Sequence, residues 1–313
     1  MKNKIILTLV LALAWLPREA SGQTPSSDSI RIVLLGTGVG PRVDLQQYGA
    51  STLVEAGGER LLFDCGRGAT MRLAQMQVPV GSITRLFLTH LHSDHIVQIP
   101  DLLLTGWAAG KRATPLEVWG PRGTSEMMNG MLKAFEFDIH MRRDVDEKFP
   151  ASGIRVLSHD IVEGVVFEKD GVKVTAFLVD HGPVRPAFGY RIDYRGRSVV
   201  LSGDTRPSEN LIRIARGTDV LVHEAIDPDV LRNRPDRPDS ATIEAIIAHH
   251  TTFEQAGQIF NRVAPRLAAY SHAPRTKNVV SETRKAYSGR LEGPEDLLTI
   301  VIRDSIDVRH FGQ

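Results

Sequence analysis

The chain has 313 residues with ordinary globular composition, 42% hydrophobic and 24% charged, which is enough for one large core or two small ones. Its formal net charge of +1 excludes an overall basic field that would attract nucleic acid. The single cysteine, Cys65, excludes an intramolecular disulfide. We interpret Cys65 as a small apolar residue at a strand end, with a reactive thiol as the alternative.

The N-terminus has the layout of a secretory signal peptide. Basic residues precede an apolar run at 5–16, and the small residues Ala20 and Gly22 follow it. We predict a signal peptide over 1–22 and a polar leader over 23–29, and therefore a periplasmic or secreted protein. The apolar run is short for a transmembrane helix, so we expect no stable membrane association after cleavage. An uncleaved anchor is the alternative.

The predicted elements of the first half follow from apolar runs and turn residues. Strands are predicted at 30–35, 51–56, 60–64, 83–88 and 116–119. Helices are predicted at 67–77, 96–109 and 123–135. The segment 136–152 is predicted to be irregular and to lie near the functional site that is described below. The glycine-rich segment after the first strand leads to another strand and not to a helix. It is therefore interpreted as a tight turn beside the site and not as a phosphate cradle.

The second half is predicted to be richer in hairpins. Hairpins are predicted at 164–179 and 187–201, turned at Asp170-Gly171 and Arg195-Gly196. A strand at 219–223, a proline-rich loop at 227–240 and a helix at 253–263 follow. The last two strands are predicted at 266–270 and 297–302.

The densest cluster of candidate ligands follows the predicted strand 83–88. His90, His92, Asp94 and His95 fall within six residues on the loop that leaves this strand, where α/β sheets usually place chemistry. Imidazole nitrogens together with a carboxylate oxygen suit zinc or a similar first-row metal. A lone histidine is more often structural, but these four side chains together predict a metal site.

This cluster after a Leu-Thr strand end resembles the His-x-His-x-Asp-His signature of the metallo-β-lactamase superfamily. The resemblance implies the αβ/βα sandwich, an α/β fold of four layers in which two mixed β-sheets are flanked by helices. The order of predicted elements is compatible with this architecture but does not select it. We accordingly predict one hydrolase domain over 30–313.

Three further candidate ligands, His181, Asp204 and His272, each follow an apolar run. The resemblance assigns the ligands of a first metal to His90, His92 and His181, those of a second to Asp94, His95 and His272, and a bridge to Asp204. It implies two Zn²⁺ per chain, with manganese or iron as alternatives that the ligand set tolerates. A hydroxide held between the metals would be the nucleophile.

Two later motifs resemble paired motifs of ribonuclease Z and its relatives, one at 220–225 and one at 250–256. The resemblance implies that His250 stabilises the oxyanion or protonates the leaving group, while Glu224 sets its tautomer. Asp94 could accept a proton from the bridging water. The neighbouring His249 is interpreted as a bystander.

The sequence departs from ribonuclease Z at three points. The predicted export separates the chain from transfer-RNA precursors. The hairpin at 187–201 leaves no room for the RNA-gripping arm of the short bacterial form. Ser93 replaces the family's glycine, and Arg275 follows the last ligand by three residues instead of four.

Our main hypothesis is therefore an exported dinuclear-metal hydrolase of phosphodiesters or aryl sulfate esters. It would be similar to the exported arylsulfatase-like hydrolases of the same superfamily branch as ribonuclease Z. The predicted partner is a small anionic ester, nucleic acid is not favoured, and a homodimer is left open. The alternative is a ribonuclease Z-like endoribonuclease or phosphodiesterase acting on RNA. A β-lactam or lactone hydrolase, which Asp204 disfavours, and a non-catalytic metal-binding protein are the minor hypotheses.

Overall fold

The computed structural model describes residues 28–312. The strands in this part of the chain are β1 (Ile30–Gly36), β2 (Ser51–Ala56), β3 (Glu59–Phe63), β4 (Arg85–Phe87), β5 (Leu116–Gly120), β6 (Val156–Asp160), β7 (Gly164–Lys169), β8 (Val172–Leu178), β9 (Phe188–Tyr194), β10 (Arg197–Leu201), β11 (Val220–His223), β12 (Leu267–Tyr270), β13 (Leu291–Glu292), β14 (Leu298–Ile302) and β15 (Ile306–Arg309). They form an eight-stranded sheet in the order β15-β14-β1-β2-β3-β4-β5-β6 and a seven-stranded sheet in the order β13-β12-β11-β10-β9-β8-β7.

Helices separate many of these strands. They are α1 (Ala69–Gln75), α2 (Ser93–Ile96), α3 (Ile99–Ala108), α4 (Thr124–Ala134), α5 (Glu136–His140), α6 (Ala151–Ile154), α7 (Glu209–Ala215), α8 (Pro228–Asn233), α9 (Ser240–Ala248), α10 (Phe253–Val263) and α11 (Asn278–Arg284). A 3₁₀ turn occupies Val80–Ser82 and a π-helix occupies Met141–Val145. No helix of residues 28–312 is both long and apolar enough to cross a membrane.

Alternation along the strands builds the core between the sheets. In β1, Ile30, Ile32 and Leu34 point between the two sheets, whereas Val33 and Leu35 pack on the outer face. Successive side chains of a strand point to opposite faces, so a single strand supplies side chains to both the inner and the outer core. Because helices cover the outer face, residues 32–35 form a continuous apolar run that is fully buried, and Arg31 is the one charged residue of the strand.

Aromatic side chains fill the middle of this core and fix one loop of the site. Phe87 stacks on Phe63 and on Trp119, with ring centroids 5.0 and 4.7 Å apart. From the opposite sheet, the Tyr190 hydroxyl donates to the Leu88 carbonyl at 2.7 Å. The chain that follows β4 is therefore held at its first residue before the candidate ligands begin.

Helices cover the outer face of each sheet. Leu73 of α1, Leu103 of α3 and Met128 of α4 pack on the first sheet, and Leu211 of α7 and Phe260 of α10 pack on the second. The result is the four-layer sandwich with two mixed sheets, which confirms the predicted fold class. Burial of each such side chain contributes roughly 1.5–3 kcal/mol.

The parallel strands decide where loops converge. Strands β3 to β6 run parallel in the first sheet, and β10 to β13 run parallel in the second. The loops after β4, β8, β10, β11 and β12 lie at one edge of the sandwich. Ligand sites form outside the carboxyl ends of strands in such sheets, so this edge is the place for chemistry.

Most predicted elements are confirmed, but the segment 136–152 is not irregular. It contains α5, the π-helix and α6, and it packs on α3, where the Trp107 indole donates to the Pro150 carbonyl at 2.9 Å. Its mixed charges pair locally, because Arg142 contacts Asp138 and Glu147. These polar pairs hide the helical periodicity in the sequence.

Three other predictions need correction. The segment 227–240 begins with α8, because Asp227 caps the helix and Pro228 occupies its first turn. The strand at 297–302 is followed by β15. The edge strand β6 was missed because most of its side chains are partly or fully exposed, which leaves no apolar pattern.

Cys65 is fully buried in the outer core of the first sheet, as predicted for an apolar filler. Burial also raises the pKa of its thiol, so it lacks the thiolate character of a reactive cysteine. The signal peptide at 1–22 and most of the leader lie outside the described residues. Those assignments stay predictions.

Candidate metal centre

The structure brings all seven predicted ligands to one edge of the sandwich. They come from both sheets: His90, His92, Asp94 and His95 follow β4, His181 follows β8, Asp204 follows β10 and His272 follows β12. Ligand atoms of His90, His92 and His181 lie within 4.8 Å of one another, and so do those of Asp94, His95 and His272. These are the two sets that the resemblance assigns to two metals.

Asp204 lies between the two sets. Its Oδ2 is 3.4 Å from His95 Nε2 and 3.9 Å from His90 Nε2, and its Oδ1 is 3.2 Å from His272 Nδ1. One carboxylate therefore reaches histidines of both sets, which is the arrangement of a bridging ligand. Gly203, at φ +60°, allows the turn, because a Cβ there would lie 2.5 Å from the Phe188 carbonyl oxygen.

Hydrogen bonds on the outer side of the histidines fix their tautomers. His95 Nδ1 bonds Asp64 at 2.8 Å, His90 Nδ1 bonds Thr89 Oγ1 at 3.0 Å, and His181 Nδ1 bonds the His249 carbonyl at 3.1 Å. The proton is thereby held on Nδ1, and the Nε2 lone pair faces the centre. This is the orientation that metal-ligating histidines require.

Several polar atoms that face the centre make no hydrogen bond to the part of the protein that the structure describes. They are His90 Nε2, His95 Nε2, Asp204 Oδ1 and His272 Nδ1, all buried and without a hydrogen bond among the described residues. Buried polar groups are normally satisfied, so such a cluster requires a ligand. Imidazole nitrogens and carboxylate oxygens together fit divalent first-row metals.

The electrostatics of the centre favour a cation. Burial lowers the pKa of His181 to about 4, so this ring is neutral and its lone pair is available. Burial would raise the pKa of Asp204, but His272 and His95 outweigh it and hold that pKa well below the usual range. The ionised carboxylate favours a proton on His95 and favours a metal ion for the same reason.

Sequence reasoning missed Asp64, which holds the centre from behind. Its carboxylate accepts hydrogen bonds from the Thr89 amide, the Thr89 hydroxyl and His95 Nδ1, each at 2.8 Å. Its φ of +56° is unusual for a residue with a side chain. A signal existed, because Asp64 follows β3, the parallel neighbour of β4, at the same edge of the sheet.

Replacement of Asp64 by asparagine is expected to lower metal affinity by about 10–100-fold, because partners that orient metal ligands have effects of this size. The asparagine amide cannot accept the His95 Nδ1 proton and the Thr89 bonds together. Titration of the metal-free protein with zinc in a competing chelator would measure this change. Unchanged affinity would show that Asp64 only stabilises the fold.

Glu224 and His250 form a second unit beside the ligands. Glu224 Oε1 accepts from His250 Nδ1 at 3.1 Å and from the amides of Thr205 and Thr251 at 3.0 and 3.1 Å. A ligand-type atom of His250 lies within 4.8 Å of those of Asp204 and His272. The pair therefore presents an imidazole to the centre in a fixed orientation.

The charge of Glu224 sets the protonation of His250. Burial lowers the pKa of His250, but the Glu224 carboxylate outweighs it by charge and by hydrogen bonding and raises that pKa to about 9. The imidazole is consequently protonated at neutral pH. A protonated imidazole next to a metal centre can donate a proton to a leaving oxygen.

The motif that follows His250 also starts a helix. The Thr252 hydroxyl accepts from the Gln255 amide, and the Gln255 side chain accepts from the Thr252 amide, which is the capping box of α10. This cap, worth about 1 kcal/mol, fixes the backbone on which His250 stands. His249 presents its carbonyl to His181, and its ring packs against the rings of His181 and His250 with centroids 4.8 and 4.9 Å apart. It is therefore closer to the centre than the bystander role predicted from the sequence implies.

The glycine-rich segment after β1 forms the near wall of the centre. It leads into β2, and the Gly40 amide faces His272 Nε2 at 3.3 Å. This confirms the tight turn and excludes the phosphate cradle, which needs a following helix. Asp296 anchors the segment by accepting from the Thr37 and Tyr48 amides at 2.9 and 2.8 Å.

Comparison with known proteins assigns the family. The family model described as the β-lactamase superfamily domain matches residues 59–273. A protein named ribonuclease Z from Mycolicibacterium gilvum (strain PYR-GCK) is 39% identical over 246 residues, covering 78% of this chain and 84% of that protein. This chain belongs to the ribonuclease Z family of the β-lactamase superfamily.

Other members of the ribonuclease Z family match over an even larger share of their length. Ribonuclease Z from Mycobacterium bovis (strain BCG / Pasteur 1173P2) is 36% identical over 278 residues, covering 86% of this chain and 96% of that protein. The predicted resemblance is therefore confirmed at the level of the family.

Solved structures agree on the fold. The short form of human tRNase Z superimposes with a TM-score of 0.65 at 22% identity, covering 87% of this chain and 98% of that chain. A metallo-β-lactamase fold protein of Bacillus subtilis gives 0.68 at 18% identity, covering 88% and 100%. These structures have the fold of the ribonuclease Z family chain described here.

Proposed function

We propose that this chain is a dinuclear-metal phosphodiesterase that cleaves RNA. The 39% identity to a ribonuclease Z across 84% of that protein carries this proposal. The Glu224–His250 pair supports it, because a metal-storage protein would not need an oriented, protonated imidazole. The order of the two main hypotheses from the sequence is thus reversed, since these relatives lend no support to an arylsulfatase acting on a small anionic ester.

The ligands of the proposed zinc ions are the two sets around Asp204. His90, His92 and His181 would hold one ion, Asp94, His95 and His272 the other, and Asp204 would be shared. When bound, such a pair of ions lowers the pKa of water and stabilises charge on the attacking and leaving oxygens. The Asp94 and Asp204 carboxylates and the imidazole nitrogens of the centre suit such cations.

The residues of the chain supply the proton transfers. Water oxygen forms the new bond to phosphorus, the bond from phosphorus to the leaving oxygen breaks, and the proton of the attacking water passes to the Asp94 carboxylate. His250 donates its proton to the leaving oxygen, so that an alcohol and not an alkoxide departs. Glu224 keeps the His250 ring in place and favours its protonated form.

The proposed function is tested with the purified zinc-loaded chain on an RNA with a 3′ extension, on bis-nitrophenyl phosphate and on nitrophenyl sulfate. We expect cleavage of both phosphodiesters, no sulfate cleavage, loss of turnover in chelator and recovery with zinc. RNA affinity should fall with rising salt, because phosphate contacts release counterions. Cleavage of the sulfate ester alone would restore the arylsulfatase hypothesis, and cleavage of bis-nitrophenyl phosphate without RNA binding would exclude the RNA substrate.

A further inference from the structure

A second cavity adjoins the metal centre. It has a volume of about 360 Å³ and lies between the glycine-rich segment 38–49 and helix α8. A volume of this size falls in the range of small-molecule sites, roughly 300–1,000 Å³. No residue of the seven-ligand set or of the Glu224–His250 pair lines it. The proposed mechanism therefore gives this cavity no role.

The cavity shares a wall with the metal centre. Gly40 lines the cavity and also directs its amide toward His272 Nε2 at 3.3 Å. Pro274, two residues after His272, lines it from the other side. The cavity and the metal centre are therefore direct neighbours in the fold.

The walls combine apolar surface with polar side chains. Val39, Ile226 and Leu231 supply apolar contact. Gln47, which is 8% exposed, donates its amide to Thr37 and to the Ala273 carbonyl. No described residue donates to its Oε1, which is left as an acceptor.

Arg234 supplies a donor on the opposite wall. Its side chain lines the cavity and is 19% exposed, and its Nε lies 3.8 Å from Asp236. The two terminal nitrogens of the guanidinium make no hydrogen bond among the described residues and are left as donors. The cavity therefore offers one donor group and one acceptor between apolar walls. An aliphatic chain would leave both unpaired, whereas a heterocyclic base with polar edges would satisfy them.

The wall of the cavity carries charges of both signs, because Asp44 and Asp227 line it together with Arg42 and Arg234. Arg42 and Arg234 both lie near Asp236, at 3.5 and 3.8 Å. Arg42 also lines the small cleft that contains Asp94. A phosphate attached to a group in the cavity would meet this guanidinium on the path to the centre.

We propose that this cavity binds one nucleoside of the substrate, the one bonded to the scissile phosphate. The base lies between the apolar walls, with its polar edges on Gln47 and Arg234, and its phosphate lies at the metal centre. This inference rests on the proposed phosphodiesterase function and names the part of the substrate that the enzyme reads. Affinity then depends on a single nucleoside, and no extended RNA surface is required for it.

Three esters with the same nitrophenol leaving group test the proposal: methyl nitrophenyl phosphate, and the nitrophenyl esters of thymidine 5′-phosphate and thymidine 3′-phosphate. We expect one thymidine ester to exceed the methyl ester in kcat/KM by at least about tenfold. Val230→Trp should lower this ratio about tenfold, because Val230 lines the cavity and is 38% exposed, so that a larger ring can enter the space. Val165→Trp, on the distant edge strand β7, is the matched control and should keep the ratio.

The proposed polar contact between Arg234 and the base is tested separately. Arg234→Met removes the guanidinium donors and keeps the aliphatic stem, and it should lower the same ratio about tenfold. Arg237→Met, which alters an exposed neighbour outside the cavity, should keep it.

Equal kcat/KM for all three esters, or a ratio that Val230→Trp and Arg234→Met leave intact, would overturn the nucleoside site while the phosphodiesterase function stands. No turnover of any of the three esters by the zinc-loaded chain would instead overturn the proposed function.

Discussion

Replacement of Asp204 by asparagine is expected to abolish phosphodiester turnover, with a loss of more than roughly 100-fold, because even partners that only orient metal ligands contribute 10–100-fold. The carboxylate reaches His95, His90 and His272 within 3.9 Å. Asparagine has nearly the same shape but no charge, so it cannot balance the metal ions. Metal analysis of the purified variant should show a lower content than the parent chain.

The control for Asp204→Asn is Asp193→Asn, which alters a half-buried carboxylate on β9 that pairs with Arg191. Both variants should give the circular dichroism of the parent chain, because each change preserves volume. Full turnover by folded Asp204→Asn would exclude a bridging role for this residue. Lost turnover with unchanged metal content would assign it a role in the reaction and not in metal retention.

Replacement of His250 by alanine is expected to lower RNA cleavage by about 10²–10⁴-fold, the usual contribution of a positioned proton donor. Bound metal should stay unchanged, since His250 belongs to neither of the two predicted ligand sets. The loss should be smaller with bis-nitrophenyl phosphate, because nitrophenolate departs without protonation far more readily than a ribose alkoxide. The ratio of the two losses therefore reports on proton donation.

His249→Ala is the matched control, because it removes the neighbouring imidazole and keeps the carbonyl that bonds His181. Its turnover should stay within about tenfold of the parent chain. Glu224→Gln should give an intermediate loss, because the ring keeps a partner but loses the charge that favours its proton. Equal losses of His250→Ala on RNA and on the nitrophenyl ester would contradict the proton-donor role.

The sequence by itself determined the features that depend on near neighbours. The strands covered on both faces, such as β1 and β2, are almost entirely buried and have apolar residues in the middle, at 32–35 and 53–54, so their positions could be predicted closely. The ligands from His90 to His95 are close because they lie within six consecutive residues. The capping box fixed the start of α10 at Phe253, since its two hydrogen bonds join residues three apart.

Only the tertiary structure decided which distant groups meet. Asp64 bonds His95 across 31 positions, and Gly40 faces His272 across 232. The cavity between 38–49 and α8 is likewise formed by segments far apart in the chain. Hydrophobic alternation specifies which face of a strand is buried, but not which strands become neighbours. A polar residue such as Gln47 or Arg234 acquires its role only when folding places it in the wall of this cavity.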